Sequence, residues 1–142
     1  MRIEISDSEF VEVTLVGRTI PDATDFWDGN WLNARVRVSS HGLRGSVDAQ
    51  LRVDELRALI ADLTELYRTL AGQVEFWPME PHLKLTFQMG EGEGLAVFVE
   101  LQPDLADPAR MMFELRVDQK SIPGIIAQLA ADLEPFPQVG QP

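Results

Sequence analysis

The sequence contains no cysteine among its 142 residues. Disulfides, a thiolate nucleophile and a thiolate metal site are therefore excluded. It also has no apolar run near the roughly 20 residues that a membrane helix requires, and its N-terminus lacks the apolar segment of a signal peptide. These absences argue against a membrane protein and predict a cytoplasmic location.

Residues that could carry catalysis are also scarce. The only histidines are His41 and His82, and neither has a histidine or cysteine neighbour at metal-binding spacing. No Gly-x-Ser-x-Gly turn is present to carry a serine nucleophile. A Ser-His-Asp triad assembled from distant residues stays open as an alternative, because such groups meet only in three dimensions. We predict a protein that is not an enzyme and has no cofactor.

Basic residues are few beside acidic ones. Twelve Lys and Arg face 23 Asp and Glu, which gives a net charge of -11. The charge is spread along the chain, with -4 in residues 1–71 and -7 in residues 72–142. Such a field disfavours nucleic acid and anionic membranes as partners and accelerates encounter with a basic protein. The alternative is that the acidity only keeps the protein soluble.

The chain length fits a single domain, 1–142, with an ordered core over about residues 2–134 and a tail at 135–142. Apolar residues at every third or fourth position predict one helix between Asp54, as N-cap, and Gly72, as left-handed C-cap. A second helix is predicted from Ile122 to Leu133, with Ser121 or Asp118 as its cap. Alternating apolar and polar residues predict strands over 9–16, 31–39, 46–52, 74–76, 83–88, 95–101 and 111–117.

The predicted order is βββ-α-ββββ-α, an α+β class. Short connections predict a mainly antiparallel sheet of about seven to eight strands, with both amphipathic helices packed on its apolar face. Each half of the chain is predicted as a set of hairpins followed by one helix.

Two loops contain residue types that are found in ligand sites. Asp22, Asp25 and Asp28 lie close together in an oxygen-rich loop that is a weak candidate for calcium, although their spacing is not that of an EF-hand. The glycine-rich stretch 90–94 lies between two strands and carries glutamates, so we interpret it as a hairpin tip rather than a phosphate loop.

Charged residues supply further candidates for binding a partner. The hairpin 31–52 carries a net charge of +3, and Arg35 and Arg37 share a strand face with Trp31. They form either a docking patch for an acidic group or ion pairs with acids on neighbouring strands. The acidic candidates at solvent positions in loops are Glu91, Glu93, Asp104 and Asp107.

The least generic stretch is Trp27-Asp28-Gly29-Asn30-Trp31-Leu32. Two tryptophans four residues apart, around a turn-forming segment, either cap the open end of the sheet or bind a partner, so Trp27, Asp28 and Trp31 are also candidates. A third possibility is a small-ligand pocket formed with Arg35.

This stretch resembles the WapI-type immunity proteins, a group of small bacterial proteins. The resemblance covers about residues 10 to 133. Besides residues 27–32, its landmarks are the strand Gly45–Leu51, the helix end Leu66-Tyr67-Arg68-Thr69-Leu70, then Gly72, Val74 and Phe76, and the stretch Leu115–Gln119.

The resemblance implies a cytoplasmic protein that binds and neutralises a toxin domain, typically the nuclease end of a contact-dependent toxin. An acidic inhibitor that resembles the phosphate backbone is compatible with that implication. The alternative from another class is a structural or regulatory module, including a homodimer formed through an exposed sheet face.

Overall fold

The computed structural model describes all 142 residues. The first half contains β1 (Arg2–Ser6), β2 (Glu9–Arg18), α1 (Phe26–Gly29), β3 (Trp31–Ser40), β4 (Leu43–Arg52) and α2 (Val53–Thr69). The second half contains β5 (Gln73–Phe76), β6 (Leu83–Met89), β7 (Gly94–Leu101), β8 (Met111–Asp118), a 3-10 turn (Gln119–Ser121) and α3 (Ile122–Leu133).

The eight strands form two antiparallel sheets, where the sequence predicted one. The first sheet has the order β1-β2-β3-β4 and the second the order β5-β6-β7-β8. The α+β class and the order of the long elements are confirmed, while β1 and α1 are additions. The sheets separate because β4 runs directly into α2, and β5 then pairs only with β6. Alternation along a strand shows which face is buried, but it does not specify the neighbouring strand.

Each half therefore repeats one plan, a four-stranded meander followed by a helix. The helix α2 turns Leu56, Leu59, Leu63 and Leu66 to the interior, the spacing of one helix face. It packs against α3 and β5, while β1 lies beside β8. One continuous cluster of 30 buried residues joins both sheets and both long helices. No helix is long and apolar enough to cross a membrane.

The ends of α2 differ from those that the sequence predicted. The N-cap position is Arg52, without a side-chain cap, and Asp54 lies inside the first turn. Leu70, rather than Gly72, is the left-handed C-cap, with φ of 53°, and its N–H donates to Leu66 O. Asp54 instead accepts a hydrogen bond from Arg52 Nε at 2.9 Å. The Asp54 carboxylate thus pairs with the Arg52 guanidinium and does not cap a backbone N–H of the helix.

Candidate partner-binding surfaces

Arg52, the last residue of β4, is buried inside a ring of aromatic side chains. Its guanidinium carbon lies 5.1 Å from the ring centre of Phe26, 5.6 Å from that of Trp27 and 5.1 Å from that of Trp31. Only 1% of Arg52 is exposed. We call Arg52 with these three rings the aromatic box. Its guanidinium fills the space between the two tryptophans, so the proposed small-ligand pocket is not open there.

Hydrogen bonds compensate the buried charge of Arg52. Nη1 donates to Trp27 O at 2.8 Å, Nη2 to Phe26 O at 3.1 Å and Nε to the Asp54 carboxylate. A buried guanidinium is tolerated only when it is paired and hydrogen-bonded, and stacked rings add cation–π attraction. Trp27 and Trp31 thus form part of a cage around an arginine, and their role in binding a partner stays a prediction.

The aspartates of the loop do not gather into a cation site. Asp25 caps α1, because its Oδ2 accepts from the N–H groups of Trp27 and Asp28 at 3.0 and 2.9 Å. No group of three or more acidic, histidine or cysteine side chains is placed to hold a metal. The calcium interpretation of Asp22, Asp25 and Asp28 is therefore not supported.

The segment 135–142, expected to trail off as a tail, is held against the aromatic box. Asn30, which is fully buried, donates from Nδ2 to Phe26 O and Val139 O at 2.9 Å each, and its Oδ1 accepts from Val139 N at 3.0 Å. A Cβ on Gly29 would lie 2.2 Å from Cγ2 of Val139. Gly29 and Asn30 are therefore needed for the close approach of this segment.

Arg35 and Arg37 of the hairpin 31–52 pair with acids on neighbouring strands, the second of the two interpretations. Arg35 bonds Asp48 at 2.8 Å, and Arg37 bonds Glu12 at 3.2 Å. Glu12 also bonds Arg2 at 3.0 Å, and these cations, Arg2 first, hold the pKa of Glu12 below its ordinary value. All of these groups lie on the face of the first sheet that points away from the core.

A serine, a histidine and a carboxylate meet at the β3–β4 turn, but not as a catalytic triad. Ser40 Oγ lies 2.8 Å from both Glu9 Oε2 and His41 Nδ1, and Glu9 Oε1 accepts from His41 N. These bonds, His41 N–H first, lower the pKa of Glu9. The carboxylate thus accepts a hydrogen bond from the serine and none from the imidazole, whereas in a triad it would accept one from the imidazole. Ser40 is also only 1% exposed. The cluster stabilises a turn in which His41 has a positive φ.

The four acidic candidates lie at opposite ends of the second sheet. Glu91 and Glu93 occupy the β6–β7 turn, while Asp104 and Asp107 occupy the β7–β8 loop. The eight residues of β7 separate the two pairs by roughly 23 Å. The aspartates shape their loop, because their carboxylates accept from Ala106 N at 2.9 Å and Ala109 N at 2.8 Å, respectively.

Between these two ends lies an apolar surface that the sequence analysis missed. On the side of the second sheet away from the core, Trp77, Phe98 and Met112 are exposed around a groove of about 520 Å³. The pairing register places Phe98 opposite Thr86 and Glu114, and Met112 opposite Glu100. We call this surface the outer face of the second sheet. The sequence feature that could have predicted this surface is the presence of apolar residues at the outward positions of strands in which apolar and polar residues otherwise alternate.

Every cation on this face is paired. Lys84 and Arg110 bond Glu100 at 3.5 and 2.9 Å, and Arg116 bonds Glu114 at 3.0 Å. Partial burial alone would raise the pKa of Glu100, but its two cations hold it below the ordinary value. The Lys84 ammonium also lies 5.4 Å from the Trp77 ring centre.

The family comparison covers almost the whole chain. A family model described as "Immunity protein WapI-like family" matches residues 2–137. The match includes both sheets, both long helices and the aromatic box, and it extends beyond the residues on which the resemblance rested. No curated protein and no solved structure matched the chain.

Proposed function

The chain belongs to the immunity protein WapI-like family, and from this premise we propose that it is an immunity protein that binds a protein toxin domain and blocks its activity. The observation that carries the proposal is the match over residues 2–137 of 142. The function follows from the family, and the geometry contributes surfaces through which a partner could be held.

We further propose that the target is a basic domain of the nuclease type. Domains that grip RNA or DNA carry basic surfaces, and a chain of net charge -11 attracts them over the range of the Debye length. We also propose a cytoplasmic location, because a nuclease toxin would act there. We do not propose nucleic acid or membrane as a partner.

Neutralisation in this proposal is stoichiometric binding, without a cofactor and without chemistry on the toxin. The candidate contacts form two groups. The first group comprises Trp27 and Trp31 of the aromatic box, Asp28 between them in the chain, and Arg35 and Arg37 on the outer face of the first sheet. The acidic group comprises Glu91, Glu93, Asp104 and Asp107, which would steer a basic domain toward the second sheet.

The test begins with the genes on either side of the gene for this chain, where the proposal expects a toxin domain to be encoded; if none is encoded there and none is captured from the native host, the proposal fails. Expressed alone in a bacterial host, the domain should stop growth and degrade nucleic acid, and co-expression of this chain should restore both. Purified chain and catalytically inactive toxin domain should form a complex whose association rate falls steeply between low and physiological salt. An active neighbouring toxin that forms no complex, and against which the chain gives no protection, would overturn the proposal.

A homodimer is the second candidate, favoured by the exposed apolar residues on the outer face of the second sheet. Sedimentation equilibrium at increasing protein concentration distinguishes it. A monomer over the whole range would remove this candidate and leave the toxin complex.

A further inference from the structure

We propose that the outer face of the second sheet is the surface on which the toxin domain docks, and that the toxin presents to it an apolar patch flanked by lysines and arginines. This inference rests on the proposed function. It assigns the principal contacts to Trp77, Phe98 and Met112 rather than to the aromatic box.

The centre of this face has the composition of a binding hot spot. Trp77 is 58% exposed and Met112 68% exposed, with Phe98 beside them, and together they border one groove. Aromatic residues and methionine are enriched at the cores of protein interfaces, and tryptophan is among the residues whose truncation costs most binding energy. Three large apolar side chains on one sheet face remain hydrated unless a partner covers them.

The segment that carries Trp77 is held in place before any partner arrives. Oε1 of Glu55, in the first turn of α2, accepts a hydrogen bond from Met79 N at 2.7 Å. The Lys84 ammonium lies against the Trp77 ring from the neighbouring strand. A side chain positioned in advance loses less conformational entropy on binding, which strengthens a contact of given area.

The charges around this centre favour a basic partner. The three cations of the face are already bound to Glu100 and Glu114. The remaining acids, in contrast, form no ion pair. They are Glu75, Glu91, Glu93, Asp104, Asp107 and Asp118, and they lie on the face or in the loops at its ends. A partner therefore meets an apolar centre with unpaired negative charge around it.

The loop with Asp104 and Asp107 belongs to the same side of the sheet. Gln102 occupies the outward position that follows Glu100 along the strand, and its Nε2 donates to Asp107 O at 2.9 Å. Arg110, at the far end of the loop, reaches back to Glu100. The loop thus curls over the outer side at the end of the groove, within reach of anything bound there.

The size of the face and the charges at its ends together disfavour a second copy as its occupant. Four strands span about 14 Å and eight residues about 23 Å, so the sheet itself offers only about 330 Å² of projected area. A standard interface buries about 800 Å² on each partner. The occupant must therefore also contact the loops at the ends, where the free acids lie. A second copy would bring like charges together there, whereas a basic domain would pair them.

The experiment measures binding of the toxin domain identified in the test of the proposed function, in a catalytically inactive form, to full-length variants of this chain. We expect Trp77→Ala and Phe98→Ala to weaken binding by about thirtyfold or more, mainly through faster dissociation. Met112→Ala should weaken it less. Leu43→Ala is a matched control at 64% exposure on the β3–β4 hairpin and should leave affinity within about threefold.

A second arm tests the charges. Asp104→Asn with Asp107→Asn should slow association several-fold and reduce its salt dependence, with little change in the dissociation rate. Arg35→Ala tests the rival surface on the first sheet. Circular dichroism and the thermal midpoint check that each variant is folded.

The outcomes separate the two proposals. If the wild-type chain binds the toxin domain and only Arg35→Ala weakens the complex, the docking face is wrong while the immunity function stands. If the wild-type chain does not bind the toxin domain, both fail. If Phe98→Ala leaves toxin binding unchanged and instead dissociates a dimer seen by sedimentation, the occupant is a second copy and the docking proposal is overturned.

Discussion

The two halves of the molecule share one plan but use their aromatic residues in opposite ways. Trp27 and Trp77 are almost equally exposed, at 59% and 58%. Trp27 encloses the buried Arg52, whereas Trp77 lies beside an open groove. The most distinctive sequence motif therefore supplies rings that enclose a buried arginine, whereas the open groove is lined by residues whose sequence pattern is ordinary. The exposed fraction of a tryptophan therefore does not show whether it encloses a buried group or borders an open surface. The residues in contact with its side chain show this.

The largest expected effect tests the aromatic box. Arg52→Ala removes the donor to the Trp27 carbonyl and to the Asp54 carboxylate, leaves the Phe26 carbonyl with Asn30 as its one donor, and empties the space between the rings. The free energy of unfolding should therefore fall by about 3 kcal/mol. Urea unfolding measures the loss. Arg35→Ala, which removes an exposed pair with Asp48, should cost less than about 1 kcal/mol. Equal losses would contradict the contrast between the buried and the exposed arginine.

A smaller effect is expected where the C-terminal segment meets the loop. In Gly29→Ala the new Cβ meets Val139 at 2.2 Å and Ala23 O at 2.9 Å, and relieving this overlap should cost about 2 kcal/mol. Gly124→Ala is the control, since no atom lies within 4 Å of its Cβ position in α3. It should stabilise the protein by about 0.5 kcal/mol in the same urea measurement. A neutral Gly29→Ala would show that the contact is not tight.

The tryptophans allow the comparison to be made directly. Trp27→Ala removes a ring that contacts Arg52 and meets the Phe26 ring edge-on at 5.0 Å, so we expect a loss of about 1.5 kcal/mol. Trp77→Ala should cost about 0.5 kcal/mol and affect binding instead. Thermal unfolding of both variants at one pH provides the measurement. A larger loss for Trp77→Ala would reverse the roles assigned to the two surfaces.

The smallest expected effect depends on pH. Burial raises the pKa of Glu55 above its ordinary value, so the folded chain holds this proton more tightly than the unfolded chain. Its contribution to the free energy of unfolding is fully present below the ordinary carboxyl pKa and is lost as the pH rises through the pKa of Glu55 in the folded chain. Glu55→Gln should therefore be more stable than wild type at neutral pH, with the difference closing near about pH 4.

The matched control lies on the same helix and has the opposite sign. Arg68 holds the pKa of Glu65 below its ordinary value, so this contribution is present above the ordinary carboxyl pKa and is lost as pH falls through the folded value. Glu65→Gln should be slightly less stable than wild type at neutral pH. Unfolding curves across the pH range measure both. A stability difference for Glu55→Gln that does not change with pH would contradict the assignment.

Local patterns predicted the elements, and non-local contacts decided the rest. The alternation around Val36 and the helical spacing around Leu63 are properties of neighbouring residues, so their strand and helix were predictable. That β5 begins a second sheet depends on pairing across the chain. The burial of Arg52 was not predictable either. Strand alternation places its side chain outward, and it is buried only because a loop more than twenty residues earlier in the chain folds over it.

The candidate site was predicted only in part. Asp104 and Asp107 do lie near the outer face of the second sheet, and their loop position follows from the prolines around them. Phe98 and Met112 were overlooked because their strands carry apolar residues on both faces. The register of β7 and β8 is needed to show that these two share a face, and the groove that they line with Trp77 depends on how the chain folds after β5.

The bond between Asn30 and Val139 also imposes an order of events in time. The ribosome must add a further 109 residues after Asn30 before its partner exists. At about 5–20 residues per second this takes roughly 5–20 s. During that time the first sheet can form, but the Asn30 side chain cannot yet form its hydrogen bonds with Val139. The loop with the most distinctive sequence is thus among the last parts of the molecule to be completed.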